Sequence, residues 1–244
     1  MTRILVPYHL TEHLPDLDVP AAADRTVTAD LPPGDPWSAM GALYAEVAAA
    51  VAETVQAGER PTVISGDCTT SLGTVAGLQR AGVDPAIVWF DGHGDVQTLE
   101  TTASGYLGGF PLRLLVGYRP ELIADALGLR PVPEERAVLV DARDLDPPEV
   151  EYLNRAAIRR CPVDDLTIPD GALYLHIDLD VVNPDDLPGL RFPATGGPGL
   201  TAVDAAVGRV LATGRVAAVG LGCTWYPGRG AGSAIRSAAT IAAL

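Results

Sequence analysis

Two acidic segments of the chain combine residue types that can hold metal ions. Asp91, His93 and Asp95 alternate with glycines at the end of an apolar stretch. Asp178 and Asp180 stand two positions apart at the end of another. Side chains two apart on an extended backbone point the same way, so each set is expected to converge. Carboxylates that face one small volume repel each other unless a cation neutralises them, and carboxylate with imidazole suits Mn, Fe or Zn.

Two further residues belong to the candidate site. Cys68 follows a third apolar stretch, and its thiolate would favour Zn or Fe over Mn. A free cysteine is also often only a small buried hydrophobic residue, so ligation stays open. His176 precedes Asp178 by two positions and is expected to face the same site, as a general acid or as a group that fixes a ligand. A purely structural place in its strand is the alternative.

Apolar, β-branched segments alternate with amphipathic ones along the whole chain. The predicted strands are 3–7, 61–65, 86–90, 137–141, 172–177 and 217–221. The predicted helices are 36–56, 70–81, 120–127, 148–157 and 201–213. This alternation predicts one α/β domain over 1–244, with a mainly parallel sheet covered on both faces. Ligand sites in such sheets lie beyond the carboxyl ends of the strands, where the candidate residues stand.

Composition narrows the class of partner. The 244 residues carry a formal net charge of −14, which disfavours nucleic acid and is compatible with a cationic small-molecule substrate. No apolar run reaches the roughly 18 residues of a membrane helix, and no signal peptide is recognisable. Three scattered cysteines do not make a disulfide framework. The expected location is therefore the cytoplasm, with no membrane partner.

The motifs resemble those of the ureohydrolases, the superfamily of arginase, agmatinase and formiminoglutamase. Residues 91–95 (DGHGD) resemble its D-A-H-x-D signature, and residues 178–184 (DLDVVNP) resemble S-x-D-x-D-x-x-D-P. Residues 65–68, 101–109 and 142–147 are similar to the family's G-G-D-H, T-T-x-S-G-N-L-H-G and L-R-D-x-D-P elements. The likeness runs in order along the chain, which makes it more specific than any single motif.

The resemblance implies a three-layer α/β/α fold around a mainly parallel sheet of about eight strands. It also implies a pair of Mn²⁺ ions, with Asp91 and Asp178 bridging them and with His93 and Asp180 completing one metal's shell. Asp95 would bind the other metal and would act in catalysis by orienting the attacking hydroxide. A homo-oligomer, as a trimer or hexamer, is a further implication.

The chain departs from the family pattern at several positions. Cys68 stands where the sixth ligand, a histidine, is expected, so Zn²⁺ or Fe²⁺ is an alternative to Mn²⁺. Gly108 replaces a histidine linked to proton shuttling, and Tyr106 replaces an amide that grips an amino-acid substrate. No carboxylate lies near Gly222, where the family has a glutamate that pairs with the guanidinium. Arginine is therefore not the expected substrate.

Three functions remain after these departures. The first is a metal-dependent hydrolase that cleaves a non-peptide C–N bond of a guanidino or amidine small molecule with a metal-activated hydroxide. The second is a mononuclear, deacetylase-like amidohydrolase, which would not need the missing glutamate. The third is a non-catalytic metal-binding relative. The retained carboxylates favour an enzyme, because clustered charges are costly without a purpose.

Overall fold

The computed structural model describes residues 1–244 and contains a sheet of eight strands. Apolar, β-branched sequence makes the central strands fully buried ones. The strands of this sheet are β1 (Thr2–Val6), β4 (Arg25–Thr26), β5 (Pro61–Ser65), β6 (Ala86–Asp91), β7 (Ala137–Asp141), β8 (Arg159–Cys161), β9 (Leu173–Asp178) and β10 (Val216–Gly222). A separate hairpin consists of β2 (Tyr8–His9) and β3 (Glu12–His13).

All pairings in the large sheet are parallel, in the order β4-β1-β5-β10-β9-β6-β7-β8. Helices form most of the crossover connections that parallel pairing requires, and only β1 to β4 and β8 to β9 are joined without one. The α-helices are α1 (Pro36–Gln56), α2 (Ser71–Arg80), α3 (Pro111–Leu115), α4 (Ala124–Leu127), α5 (Pro147–Leu153), α6 (Leu200–Leu211) and α7 (Ala231–Ile235). The longest, α1, has 21 residues, and none of the helices combines the length and hydropathy needed to cross a membrane.

The two faces of the sheet carry separate apolar cores. On one face, Trp89 and Leu139 pack with residues of α1, α2 and α3. On the other, Val88 and Val140 pack with residues of α6 and α7. Neighbouring positions of one strand thus enter opposite cores, because successive side chains alternate between the faces. The arrangement is a three-layer α/β/α fold, and the predicted fold class is confirmed.

Local sequence signals explain where α1 begins and ends. The Asp35 carboxylate accepts a hydrogen bond from the backbone N–H of Ser38 at 2.9 Å, and Pro36 occupies the first helical position. Gly58, with φ of +78°, adopts the left-handed conformation just beyond the end. The predicted bounds of this helix match the observed ones.

Several features of the fold differ from the sequence prediction. The hairpin of β2 and β3 and the short helices α3 and α7 were not predicted. The segment 120–127 is not one helix, since a 3₁₀ turn at Pro120–Leu122 is separated from α4 by Ile123, whose ψ of −34° comes with φ of −156°. The edge strands β4 and β8 were not predicted. They have only two and three residues, and four of those five residues are exposed, so no apolar pattern marks them.

Candidate metal centre

The candidate ligands come together because four neighbouring central strands end at the same edge of the sheet. Cys68 follows β5, Asp91 ends β6 and Asp178 ends β9. Thr224 follows β10, which lies between β5 and β9 in the sheet. The crevice beyond the carboxyl ends of parallel strands is the usual ligand site of such folds.

The convergence of the ligands does not come from strand alternation alone, as the sequence had suggested. Strand β6 ends at Asp91, and Asp95 has φ of +54°, so residues 92–95 form a turn rather than an extended segment. Asp180 likewise lies in a 3₁₀ turn, at Leu179–Val181. The ligands meet because these turns fold back over the strand ends, and the glycines at 92 and 94 allow a close approach.

Two groups of side chains could each hold a metal ion. In the first group, Cys68, Asp91 and Asp178 place ligand atoms within 4.8 Å of one another. In the second, Asp91, His93 and Asp180 do the same. Asp91 belongs to both groups, so five of the six predicted ligands form two adjoining sites that share one carboxylate.

In the second group, hydrogen bonds and neighbouring charges shift the pKa values of His93 and Asp180. Nδ1 of His93 lies 3.1 Å from Oδ2 of Asp180 and 3.5 Å from Oδ1 of Asp91. Burial of the imidazole favours its neutral form, but these two partners outweigh it and raise the pKa of His93 to about 12. Burial and the charge of Asp91 raise the pKa of Asp180 to about 6. In the metal-free protein, a protonated imidazole therefore balances part of the negative charge.

The first group is deeper and lacks a basic partner. Burial, followed by the charge of Asp178, raises the pKa of the Cys68 thiol well above its usual value. Its Sγ lies 2.8 Å from Oδ2 of Asp178 and donates to it. Burial and the charges of Asp180 and Asp91 also raise the pKa of Asp178. A bound cation would reduce the repulsion between these closely spaced, buried acidic groups.

Asp95, the sixth predicted ligand, lies outside both groups but at the same site. It lines the cavity above the ligands and is buried. Burial and then the neighbouring Asp91 raise the pKa of the Asp95 carboxyl well above its usual value. The raised pKa reports how close the two carboxylates are.

Polar groups around the ligands hold the carboxylates in place. The indole Nε1 of Trp89 donates to Asp91 at 2.9 Å. The Thr224 hydroxyl donates to Oδ1 of Asp178 at 2.7 Å. Such outer partners orient ligands and tune their basicity. Neither Trp89 nor Thr224 was identified from the sequence. Thr224 reaches Asp178 because β10 lies beside β9, whereas Trp89 lies two positions before Asp91 in the same strand.

His176 lies below the candidate site rather than in it. Its Nδ1 is 3.0 Å from Oγ of Ser71 and 3.2 Å from the Tyr174 hydroxyl, and its ring stacks on Trp89 with centroids 3.8 Å apart. It does not line the cavity. Burial lowers the pKa of His176 to about 3, so the ring is neutral. These contacts match the structural alternative given above.

A cavity of about 160 Å³ opens over the ligands. No Lys or Arg is among its lining residues, although the acids are numerous. The lining residues are Cys68, His93, Asp95, Gln97, Thr102, Ser104, Tyr106, Gly108, Gly109, Asp146, Glu149, Asp178, Asp180, Phe192 and Thr224.

Two acidic residues that line the cavity were not predicted as site residues, because their sequence pattern indicates only the start of a helix. Asp146 and Glu149 form the capping box at the start of α5, a pattern that predicts only a helix N-terminus. Asp146 also accepts from the Gln97 amide at 2.7 Å, and Glu149 accepts from the backbone N–H of Val96 at 3.2 Å. These contacts join α5 to the turn that carries Asp95.

Arg143 fastens the loops behind the ligands. Its guanidinium pairs with Asp141 and donates to the carbonyl oxygens of Val181 and Ala194, each at 3.0 Å. Asp141, whose φ is +78°, is the last residue of β7. The loop after β9 is held in this way.

The likeness to known proteins supports the resemblance that the motifs predicted. A model of the arginase family matches residues 3–222, which include every candidate ligand. The chain belongs to the arginase family. Arginase of Bacillus caldovelox is 32% identical in an alignment of 170 residues that covers 62% of this chain and 56% of that relative. An N(omega)-hydroxy-L-arginine amidinohydrolase of Streptomyces lavendulae is 34% identical over 57% of this chain and 52% of its own length. The aligned part of this arginase-family chain spans about half the length of these curated relatives.

Solved structures confirm the fold of this arginase-family chain. Arginase from Bacillus caldovelox superposes with a TM-score of 0.83 at 23% identity, over 99% of this chain and 98% of that one. Formimidoylglutamase from Bacillus subtilis superposes with a TM-score of 0.70 at 13% identity, over 99% of this chain and 85% of that one. At this identity the likeness concerns the fold alone, and the match to the arginase family model confirms the predicted ureohydrolase resemblance.

Proposed function

We propose that the protein is a metal-dependent hydrolase that cleaves a non-peptide C–N bond of a guanidino or amidine small molecule. The observation that carries the proposal is the pair of ligand groups that share Asp91 beneath a single cavity. Family membership agrees with it. Paired sites of this kind are typical of hydrolases in which two metals act on one water molecule.

The residues fit divalent cations. Four carboxylates, those of Asp91, Asp95, Asp178 and Asp180, are between 1% and 7% exposed and have His93 as their nearest cationic partner. So much buried negative charge is unfavourable unless cations replace the lost solvation. When bound, the metals would lower the pKa of a water molecule so that it can act as a nucleophile near neutral pH.

The metal identity follows from the donor atoms. The second group offers only carboxylate and imidazole, a set that suits Mn²⁺. The first group adds the Cys68 sulfur, which favours Zn²⁺ or Fe²⁺ when the thiol is deprotonated. We therefore propose two metal ions, with Mn²⁺ the family-like occupant and Zn²⁺ or Fe²⁺ the alternative in the first group.

Asp95 is the residue that we assign to proton handling. Its carboxyl group lines the cavity beside Asp91, where it can accept a proton from the attacking water. The proton would then pass to the departing amine. His176 takes a structural role in this proposal, since Ser71 and Tyr174 hold its Nδ1 away from the cavity.

The substrate is expected to be a small guanidino or amidine compound other than arginine. Thr224, a neutral residue, lies at the end of β10, so no carboxylate is available there to pair with a guanidinium ion. Losing such a charge-assisted contact weakens binding of a guanidinium group by several kcal/mol when the site is desolvated, roughly 2–5 kcal/mol. The acidic cavity without lysine or arginine still favours a cation over an anion.

The first test is elemental analysis of protein purified without chelator, followed by a screen for urea or amine release from guanidines and amidines. We expect about two metal equivalents per chain and turnover that Asp95→Asn abolishes. The exposed ion-pair residue Asp84 provides a matched control, and Asp84→Asn is expected to keep turnover. About one equivalent with turnover of acylated amines would instead support the mononuclear amidohydrolase. Metal binding without any turnover would support a non-catalytic relative.

A further inference from the structure

Tyr106 and Gly108 share one space at the wall of the cavity. A Cβ atom at position 108 would overlap Cζ and Oη of Tyr106. A side chain at position 108 would therefore require the Tyr106 ring to move from its observed position. The Tyr106 ring fills the room that a residue at 108 would occupy, and both positions line the cavity above the ligands.

His9 fixes the direction of the Tyr106 hydroxyl. Nδ1 of His9 lies 2.8 Å from the carbonyl oxygen of Gly66, and Nε2 lies 3.0 Å from Oη of Tyr106. A carbonyl oxygen only accepts, so Nδ1 carries a hydrogen. In the tautomer with its single hydrogen on Nδ1, Nε2 is the acceptor. The phenol then donates its single hydrogen to His9, and its oxygen remains free to accept from a ligand.

The Thr224 hydroxyl, like the Tyr106 hydroxyl, donates its hydrogen to another residue of the protein. Its hydroxyl hydrogen is donated to Oδ1 of Asp178, so its oxygen can only accept from a ligand in the cavity. Burial and the charges of Asp67 and Cys68 raise the pKa of Tyr106, so the phenol stays protonated. Two neutral oxygens thus face the volume where a substrate would lie, and both lack a hydrogen to donate to it.

Aromatic packing makes this wall rigid. The rings of Tyr106 and Phe192 lie 4.9 Å apart, and His9 stacks on Tyr106 with centroids 5.8 Å apart. Phe192 is 38% exposed, so it stands at the mouth of the cavity. Ring faces in this position can cover a planar cation, which adds a contact that does not depend on N–H groups.

We propose that Tyr106, held by His9, is the specificity-determining residue of the cavity and accepts a hydrogen bond from an N–H group of the substrate. Tyr106 contacts the ligand, and His9 is a positioning residue. The proposal rests on the proposed function, since it names how that cavity would recognise an amidine or guanidine. The recognition uses a neutral oxygen where a carboxylate is absent.

The test compares two cations by calorimetry on the metal-loaded protein. Methylguanidine offers N–H donors, whereas tetramethylammonium has the same charge and none. We expect Tyr106→Phe to weaken methylguanidine binding about threefold to tenfold, the usual net worth of one hydrogen bond. Binding of tetramethylammonium should stay within about twofold, because the ring is retained. His9→Leu should shift methylguanidine in the same direction by a smaller factor.

The matched control is Tyr118→Phe, which removes a hydroxyl that bonds Glu100 outside the cavity. It should leave both affinities unchanged. Equal weakening of the two cations by Tyr106→Phe, no weakening of either, or no saturable binding of methylguanidine to the wild-type protein would each overturn the proposal.

These measurements separate the two proposals. Loss of methylguanidine selectivity in a protein that turns over no guanidine or amidine would refute the hydrolase function and support the role of Tyr106. Turnover whose kcat and KM are both unaffected by Tyr106→Phe would support the function and refute the role. The overlap between positions 106 and 108 is tested independently by the free energy of unfolding. Gly108→Ala should lower it in the wild-type protein but not in the Tyr106→Ala variant.

Discussion

Replacement of Cys68 by serine tests whether the first ligand group holds a metal through sulfur. Cys68 is 4% exposed, and its Sγ lies 2.8 Å from Asp178, with which it shares a ligand group. Serine keeps a hydroxyl that can donate to the same carboxylate, so the carboxylate should hold its position. The hydroxyl is, however, a much poorer metal ligand than a thiolate.

The size of the effect follows from the ligand count. Loss of an outer partner of a metal ligand typically costs 10- to 100-fold in affinity, so loss of a ligand itself should cost about 100-fold or more. That corresponds to about 3 kcal/mol of binding free energy. The second group contains no sulfur, so its ion should remain. Cys68→Ser protein is therefore expected to retain one metal of the pair.

The assay is metal content per chain after dialysis against zinc or manganese buffers, with cobalt substitution as a spectroscopic check. Wild-type protein loaded with cobalt should show a sulfur-to-metal charge-transfer band that Cys68→Ser abolishes. Cys223 provides the control, because it is also buried beside Asp178 but belongs to neither ligand group. Cys223→Ser should cost stability through a buried hydroxyl, about 1–3 kcal/mol, without changing the metal content.

Unchanged zinc content and an unchanged cobalt spectrum in Cys68→Ser would refute the reasoning. Cys68 would then be a buried hydrophobic residue that donates to Asp178. Replacement of Cys68 by histidine is a second test. Cys68→His should raise manganese occupancy if position 68 is a ligand position. The same manganese content in both proteins would remove position 68 from the metal shell.

Three further outcomes are expected. In metal-free protein, burial and a neighbouring carboxylate raise the pKa of Asp180 to about 6, and the pKa of Asp95 is also raised. The folded state then binds more protons than the unfolded one, so the free energy of unfolding should fall as pH rises from about 4 through 6. Calorimetric Tm values across this range check it, and metal-loaded protein should not show the fall, because the metal requires deprotonated ligands. Gly77→Ala should cost about 1–3 kcal/mol in urea unfolding, because the new Cβ would lie 2.7 Å from atoms of α1. Gly208→Ala, whose nearest neighbour is 3.7 Å away, should instead gain up to about 1 kcal/mol, and equal losses in both variants would contradict the packing argument. Arg143→Met should lower the free energy of unfolding by about 3 kcal/mol, because it leaves a half-buried carboxylate unpaired and frees four loop carbonyls. An unchanged denaturation midpoint would show that the loops hold without it.

The sequence by itself determined the central strands and the residues at their ends. Apolar, β-branched runs are local signals, and they predicted β5 and β7 with their observed bounds. Asp91 and Asp178 come at the ends of two other apolar runs, β6 and β9. They could be predicted as site residues, because a residue at the carboxyl end of a buried parallel strand lies at the ligand edge of the sheet. Their chemistry could be inferred from residue type alone.

Some features of the site depended on more than local pattern. Asp95 and Asp180 reach the site through turns whose left-handed or 3₁₀ backbone is not encoded by a strand period. His176 has the strand spacing of a ligand, yet its ring stacks on Trp89, its Nδ1 contacts the Tyr174 hydroxyl, and it does not line the cavity. Spacing predicts the face on which a side chain lies, and neighbouring strands decide what it meets there.

Only the tertiary structure decided which residues close the cavity. His9 and Tyr106 are 97 positions apart and meet through one hydrogen bond, and Thr224 reaches Asp178 because β10 lies beside β9. Glycine at 108 leaves room for the ring at 106, which a Cβ at this position would overlap. Local periodicity sets secondary structure and burial, but contacts between distant segments depend on the order of strands in the sheet, which no single segment of the sequence carries.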